Sequence, residues 1–95
     1  MSKYRLSTEA KNDLIRIHHY AFERFGEIQA DKYFNAFFDC FDQIAERPYS
    51  FESVDFIRPG YRRCLCGSDS IYFKISDQYV DIMAIMGRQD LNNLL

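Results

Sequence analysis

Apolar residues in the first half of the chain recur at spacings of three and four. Ala10, Leu14, Ile17, Ala21 and Phe25 fall on one face of a helix. Ser7, just ahead of them, is a suitable N-cap, and Glu9 in the first turn suits the positive end of the helix dipole. Gly26 follows the pattern and suits a helix C′ position. A second helical pattern starts almost at once with Ala30, Tyr33, Phe34, Phe37, Phe38, Phe41, Ile44 and Ala45, and Pro48 ends it. So short a link predicts a helical hairpin. Phe34, Phe37 and Phe41 are expected to be buried between the second helix and either the first helix or a sheet.

Past Pro48 the period changes. Residues 47–55 read as a loop. Residues 56–58 suggest a short strand, and Pro59-Gly60 a turn. Residues 61–66 and 70–75 are extended runs joined by "GSD" at 67–69, which predicts a hairpin. "SDQ" at 76–78 is another turn. "YVDIMAIM" at 79–86 is nearly continuous in apolar character, as for a central strand covered on both faces, and Gly87 ends it. The tail "RQDLNNLL" is expected to form one helical turn or to stay mobile. At the other end, residues 3–6 read as a short first strand. The predicted fold class is α+β, with an N-terminal helical hairpin packed on a small, mainly antiparallel β-sheet.

Composition narrows the functional classes. A chain of 95 residues is expected to form one domain, residues 1–95, around one core. Its 47% hydrophobic and 27% charged residues exclude wholesale disorder. Nine Phe and seven Tyr, with no Trp, supply unusual apolar area for so small a core. A net charge of -2 argues against general attraction to nucleic acid, so no direct nucleic-acid binding is expected of the chain alone. No apolar run approaches a membrane span or follows the N-terminus like a signal peptide, so no membrane partner and a cytoplasmic location are expected. Three cysteines are an odd number, and reduced thiols are the simplest expectation there.

The stretch "GYRRCLCGSDSIYFKI" at 60–75 concentrates the candidate chemistry. It fits a catalytic strand, a metal site, or a sheet that displays arginines. Cys64 and Cys66 point the same way on a strand, but one C-x-C lacks two further ligands nearby in sequence. Their Cα atoms would lie roughly 6.5–7 Å apart, at or past the disulfide limit. All three cysteines are therefore expected to be free, with no metal and no cofactor. His18 and His19 point in different directions from a helix, and nothing in sequence places an acid or nucleophile beside them. No Gly-rich phosphate loop or H-E-x-x-H occurs. Asp39 and Asp42 sit on the outer face of the second helix, where solvation accounts for them. No catalytic residue is assigned. The basic residues Arg58, Arg62, Arg63, Lys74 and Arg88 all fall in the sheet half. Neighbouring strand residues face opposite ways, so one of Arg62 and Arg63 must project from the open face. Arginine binds carboxylates and phosphates through its planar fork. Such a face is either simply solvated or binds an acidic protein segment or RNA.

Together these motifs resemble the ParE branch of the ParE/RelE superfamily of toxin–antitoxin toxins. Tyr4, Leu6, Ser7, Ala10, Asp13, Leu14, Ile17, Tyr20, Phe25, Gly26, Ala30, Tyr33 and Pro48 match the family's N-terminal pattern. Gly60 and Arg62 match its G-x-R, "GSDSIYFKI" its hairpin, and "GRQD" at 87–90 its closing motif. The likeness spans nearly the whole chain. Each motif is degenerate, but their order and spacing are specific. The sequence departs from the family at Asp69, where a histidine is frequent, and at Met83 and Met86, where arginine and histidine are frequent.

The resemblance implies a toxin that binds DNA gyrase, traps its cleaved-DNA complex, and is neutralised by a cognate antitoxin, with a higher-order toxin–antitoxin complex among its expected assemblies. The expected partner contacts are Arg58, Arg62, Arg63, Lys74, Arg88, Leu91 and Leu94. The RelE branch instead cuts messenger RNA on the ribosome with several Lys/Arg and a C-terminal Tyr or His. Here Cys64 and Ser70 fill two of those positions, and no Tyr or His follows Gly87. A ribosome-dependent endoribonuclease, or a toxin-fold protein with another target, stays open as an alternative.

Overall fold

A computed structural model describes residues 3–87. The chain runs β1 (Lys3–Leu6), α1 (Thr8–Phe25), α2 (Glu27–Glu46), a 3₁₀ turn (Pro48–Ser50), β2 (Glu52–Ser53), β3 (Tyr61–Cys66), β4 (Asp69–Ser76) and β5 (Tyr79–Gly87). These strands form one sheet in the order β1-β5-β4-β3-β2. Only the β1–β5 pairing is parallel. The helical hairpin covers one face of the sheet, and the architecture is α+β as expected.

Ser7 couples the first strand to the first helix. Its side-chain oxygen accepts the Ala10 N–H at 3.0 Å and its hydroxyl donates to the Met83 carbonyl at 2.8 Å, while its own N–H bonds the Ile82 carbonyl at 3.0 Å. The N-cap is thus also a tie to β5. Gly26 links the two helices by itself, at φ 88°, a backbone conformation that glycine adopts without steric cost. The core lies between hairpin and sheet. Phe37, Phe41, Ile44, Ile71, Phe73, Ile82 and Ile85 are fully buried in it. Phe37 and Phe41 occupy the expected positions. Phe34 is only half-buried, edge-on to His18 and tilted against Phe38 at the outer seam of the hairpin.

The sequence reading needs correction at four places. Phe25 does not join the buried face of α1 and is 65% exposed, because α2 departs at the next residue and nothing among the described residues covers the last turn. Residues 56–58 are not a strand. The second strand is Glu52–Ser53, inside the expected loop, and Val54 is the apolar anchor, buried and donating its N–H to the Tyr61 carbonyl at 2.8 Å. The chain then turns, with the Asp55 carboxylate accepting the Gly60 N–H at 2.7 Å, and Phe56 is left exposed. The β3–β4 turn is shorter than expected, since Asp69 already pairs with Cys66. Finally, β5 is covered on one face. Val80 and Ile82 are buried while Tyr79, Asp81 and Met83 are half-exposed. A bulge opposite Tyr72/Phe73 then breaks the alternation, so Ala84 and Ile85 are both buried.

Candidate functional site

Strand alternation sorts the basic residues by face. Cys64, Cys66, Ile71, Phe73, Val80 and Ile82 point into the core under the helices. The registers therefore put Arg5, Glu52, Tyr61, Arg63, Tyr72, Lys74, Tyr79 and Asp81 on the opposite, open face. Arg63 is the arginine of the pair that projects there. Its guanidinium grips Glu52 on the neighbouring strand at 2.7 and 2.8 Å. That bond holds Arg63 above its ordinary pKa. Tyr72 lies beside Arg63, nearly fully buried, and its hydroxyl has no aligned hydrogen-bond partner among the described residues.

Arg62 faces the helix side. It donates to the Phe51 carbonyl at 2.7 Å and lies over the Tyr49 ring at 5.2 Å. Arg58 leaves the loop before β3 and lies over Tyr61 at 6.0 Å. Lys74 stands near Asp81, whose carboxyl is held below its ordinary pKa chiefly by a hydrogen bond from Arg5. The Arg5–Asp81 pair is 2.8 Å long, and Arg5 also covers the Tyr79 ring at 4.3 Å. Arg58, Arg63 and Lys74 thus gather on or beside one aromatic face and Arg62 does not. Arg88, Leu91 and Leu94 lie outside the described residues.

Arg5 and its Tyr79–Asp81 partners are missing from the sequence reading. The available signal was the alternation of Lys3, Tyr4, Arg5 and Leu6, but which strand pairs with β1 is not visible locally. A second surface was also missed. Ile15, His18, His19, Phe22, Asp31 and Phe34 line a shallow groove on the outer side of the hairpin. Ile15 and Phe22 are 67% and 48% exposed. Their spacing of seven marks a second apolar stripe on α1. The two histidines belong to this surface and not to the sheet. His18 contacts Asp31 at 3.0 Å and His19 contacts Glu23 at 2.6 Å.

The departures from the family pattern have defined places. Asp69 accepts a hydrogen bond from the Tyr33 hydroxyl of α2, and burial together with that bond raises the Tyr33 pKa. Met83 sits at the bulge, with its carbonyl on Ser7, and Met86 is opposite Ser70. The three cysteines are free. No cluster of three or more His, Cys, Asp or Glu suited to a metal ion occurs among the described residues.

A two-helix hairpin over a five-stranded sheet, closed by a parallel first strand, is a fold found in solved toxin–antitoxin systems. The solved chromosomal ParDE TA system from P. aeruginosa shares it with a TM-score of 0.81 at 17% identity, over 92% of this chain and 96% of that one. The toxin–antitoxin complex RelBE2 from Mycobacterium tuberculosis is more distant, with a TM-score of 0.57 at 16% identity, over 92% of this chain and 98% of that one. Sequence comparison narrows the class. Residues 4–91 match the family described as ParE toxin of type II toxin–antitoxin system, parDE. Toxin ParE1 of Caulobacter vibrioides is 35% identical over 92 residues, covering 97% of this chain and 94% of its own length. Toxin ParE1 of Mycobacterium tuberculosis is 29% identical over 86 residues, covering 90% and 88%. The chain belongs to the ParE toxin family of type II toxin–antitoxin systems.

Proposed function

We propose that the chain, acting as one cytoplasmic domain, binds DNA gyrase, traps the enzyme with its DNA cleaved, and is held silent by a cognate antitoxin. The observation that carries this reading is the separation of the open-face cations from the histidines. The open face presents Arg5, Arg63 and Lys74 among tyrosines, with Arg58 at its rim. Both histidines of the chain lie on the helical hairpin. Acid–base cleavage of RNA calls for a proton acceptor beside the phosphate-binding cations. Arginine is a poor one at neutral pH. A basic, aromatic face suits recognition of an acidic protein surface through forked ion pairs and ring contacts.

Arg58, Arg63, Lys74 and the C-terminal Arg88, Leu91 and Leu94 are the proposed contacts. The antitoxin is expected to be a small acidic chain that orders itself as it binds. The test is a gyrase supercoiling and cleavage assay with the purified protein. Accumulated cleaved DNA supports the reading. Normal supercoiling, combined with messages cut in the ribosomal A site after induction, replaces it with the endoribonuclease reading. Co-expression with the product of the adjacent reading frame should relieve toxicity and yield a stable complex.

A further inference from the structure

All three cysteines of the chain meet at one core cluster, although Cys40 is far from the other two in sequence. Cys64 and Cys66 point inward from β3 and are buried in the core. Cys40, on α2, packs against the same cluster and interacts with both of them. It is also the only one of the three that is half-exposed rather than buried. The two strand cysteines make a poor pair with each other, since extended backbone holds residues two apart roughly 6.5–7 Å from Cα to Cα. Cys40 meets them from a different element, and a helix packed on a sheet has no such constraint.

We propose that Cys40 is an oxidation site, and that its oxidation joins α2 to β3 through a disulfide to Cys66 or Cys64. The oxidant is a peroxide. The Cys40 thiolate attacks one peroxide oxygen, the O–O bond breaks, and water leaves after taking up a proton. Cys40 is then a sulfenic acid. A β3 thiol attacks that sulfur, the S–OH bond breaks, and the thiol proton passes to the departing hydroxide, which leaves as a second water. Two thiols and one hydrogen peroxide give one disulfide and two waters. The third cysteine stays reduced, because a disulfide takes only two. Burial pushes the Cys64 thiol up to about 12 and raises Cys66 as well, which keeps both protonated and slow to react with peroxide themselves. The exposed end of the cluster therefore reacts first and the buried end resolves it.

The test is treatment of the purified, reduced protein with hydrogen peroxide, read by intact mass and thiol titration under denaturing conditions. The expected product is a monomer about 2 Da lighter, a loss set by disulfide formation, with one titratable thiol remaining of three. Peptide mapping without reductant should link the Cys40 peptide to the one carrying Cys64 and Cys66. Cys64→Ser and Cys66→Ser tell the two partners apart. The oxidised protein should melt higher than the reduced one, and dithiothreitol should reverse the shift. Cys40→Ser should form no intrachain link. Its failure to fold would leave the wild-type mass and mapping to decide. Three surviving thiols, a disulfide between two chains, or sulfinic acid at Cys40 without a cross-link would each overturn the proposal. So would a melting temperature that does not rise.

Discussion

The carboxylate of Asp13 accepts the backbone N–H of Ile85 at 2.9 Å, across a sequence separation of 72 residues. β1 pairs with β5 only as far as Ile82, so the rest of that β5 edge has no strand beside it among the described residues. α1 fills the gap with side chains. Asp13 takes the Ile85 N–H, and Arg16 reaches the Ile85 carbonyl and Asp13, both at 3.4 Å. An exposed strand edge becomes a covered one.

Asp13→Ala should therefore destabilise the fold by about 1–3 kcal/mol, the cost of leaving a part-buried N–H unpaired. Urea unfolding would measure it. Asp13→Asn should cost less, because an amide oxygen can still accept.

Phe37→Ala and Phe41→Ala each remove a fully buried ring from the centre of the core. A loss of about 3–5 kcal/mol is expected for each, a large share of a small domain's stability. Phe34→Ala, at the half-buried seam, should cost clearly less. Equal losses at all three positions would contradict the packing described.

Gly67 has φ +60°, and an added Cβ would stand 3.1 Å from the Tyr33 ring and 3.2 Å from its hydroxyl. Gly67→Ala should be destabilising through both backbone strain and displacement of Tyr33 from Asp69. If thermal melts show no loss, the Tyr33–turn contact is not rigid.

The two adjacent arginines should separate cleanly. Arg63→Ala breaks a pair with Glu52 at the sheet surface and should change stability by at most about 1 kcal/mol. Gyrase inhibition should fall. Arg62→Ala leaves the Phe51 carbonyl without its donor and should act mainly on stability. Activity and melting temperature measured on both variants would decide the assignment.

Asp81 supplies a pH signature. Its folded pKa lies below the ordinary 3.8, chiefly through the hydrogen bond from Arg5. Its contribution is therefore present above the unfolded pKa and is lost as pH falls through the folded one. Asp81→Asn should lower stability across the neutral range and flatten the acid limb, so that the variant and the parent converge as pH falls below 3.8. Denaturant titrations at a series of acidic pH values would show it.

Much of this fold was readable along the chain because its signals are local. The cap at Ser7, the break at Gly26 and the stop at Pro48 are decided by a few neighbouring residues. Phe25 went wrong because periodicity marks a face without saying where the covering element ends. β2 was displaced because Val54, a single buried residue, outweighs the more apolar-looking Phe56. The side of Arg62 and Arg63 needed the registers of β3 with both neighbours. The contact of Cys40 with β3 needed the tilt of α2, which no spacing rule contains.

The parallel pairing of the first strand with the last has a consequence for synthesis. Lys3–Leu6 is made long before its partner residues 79–82. The Ser7 and Asp13 ties to β5 wait for the same event. Loop-closure entropy must be met across almost the whole chain before the sheet exists. Until residues 79–82 have been made, β1 therefore has no partner and the sheet stays incomplete.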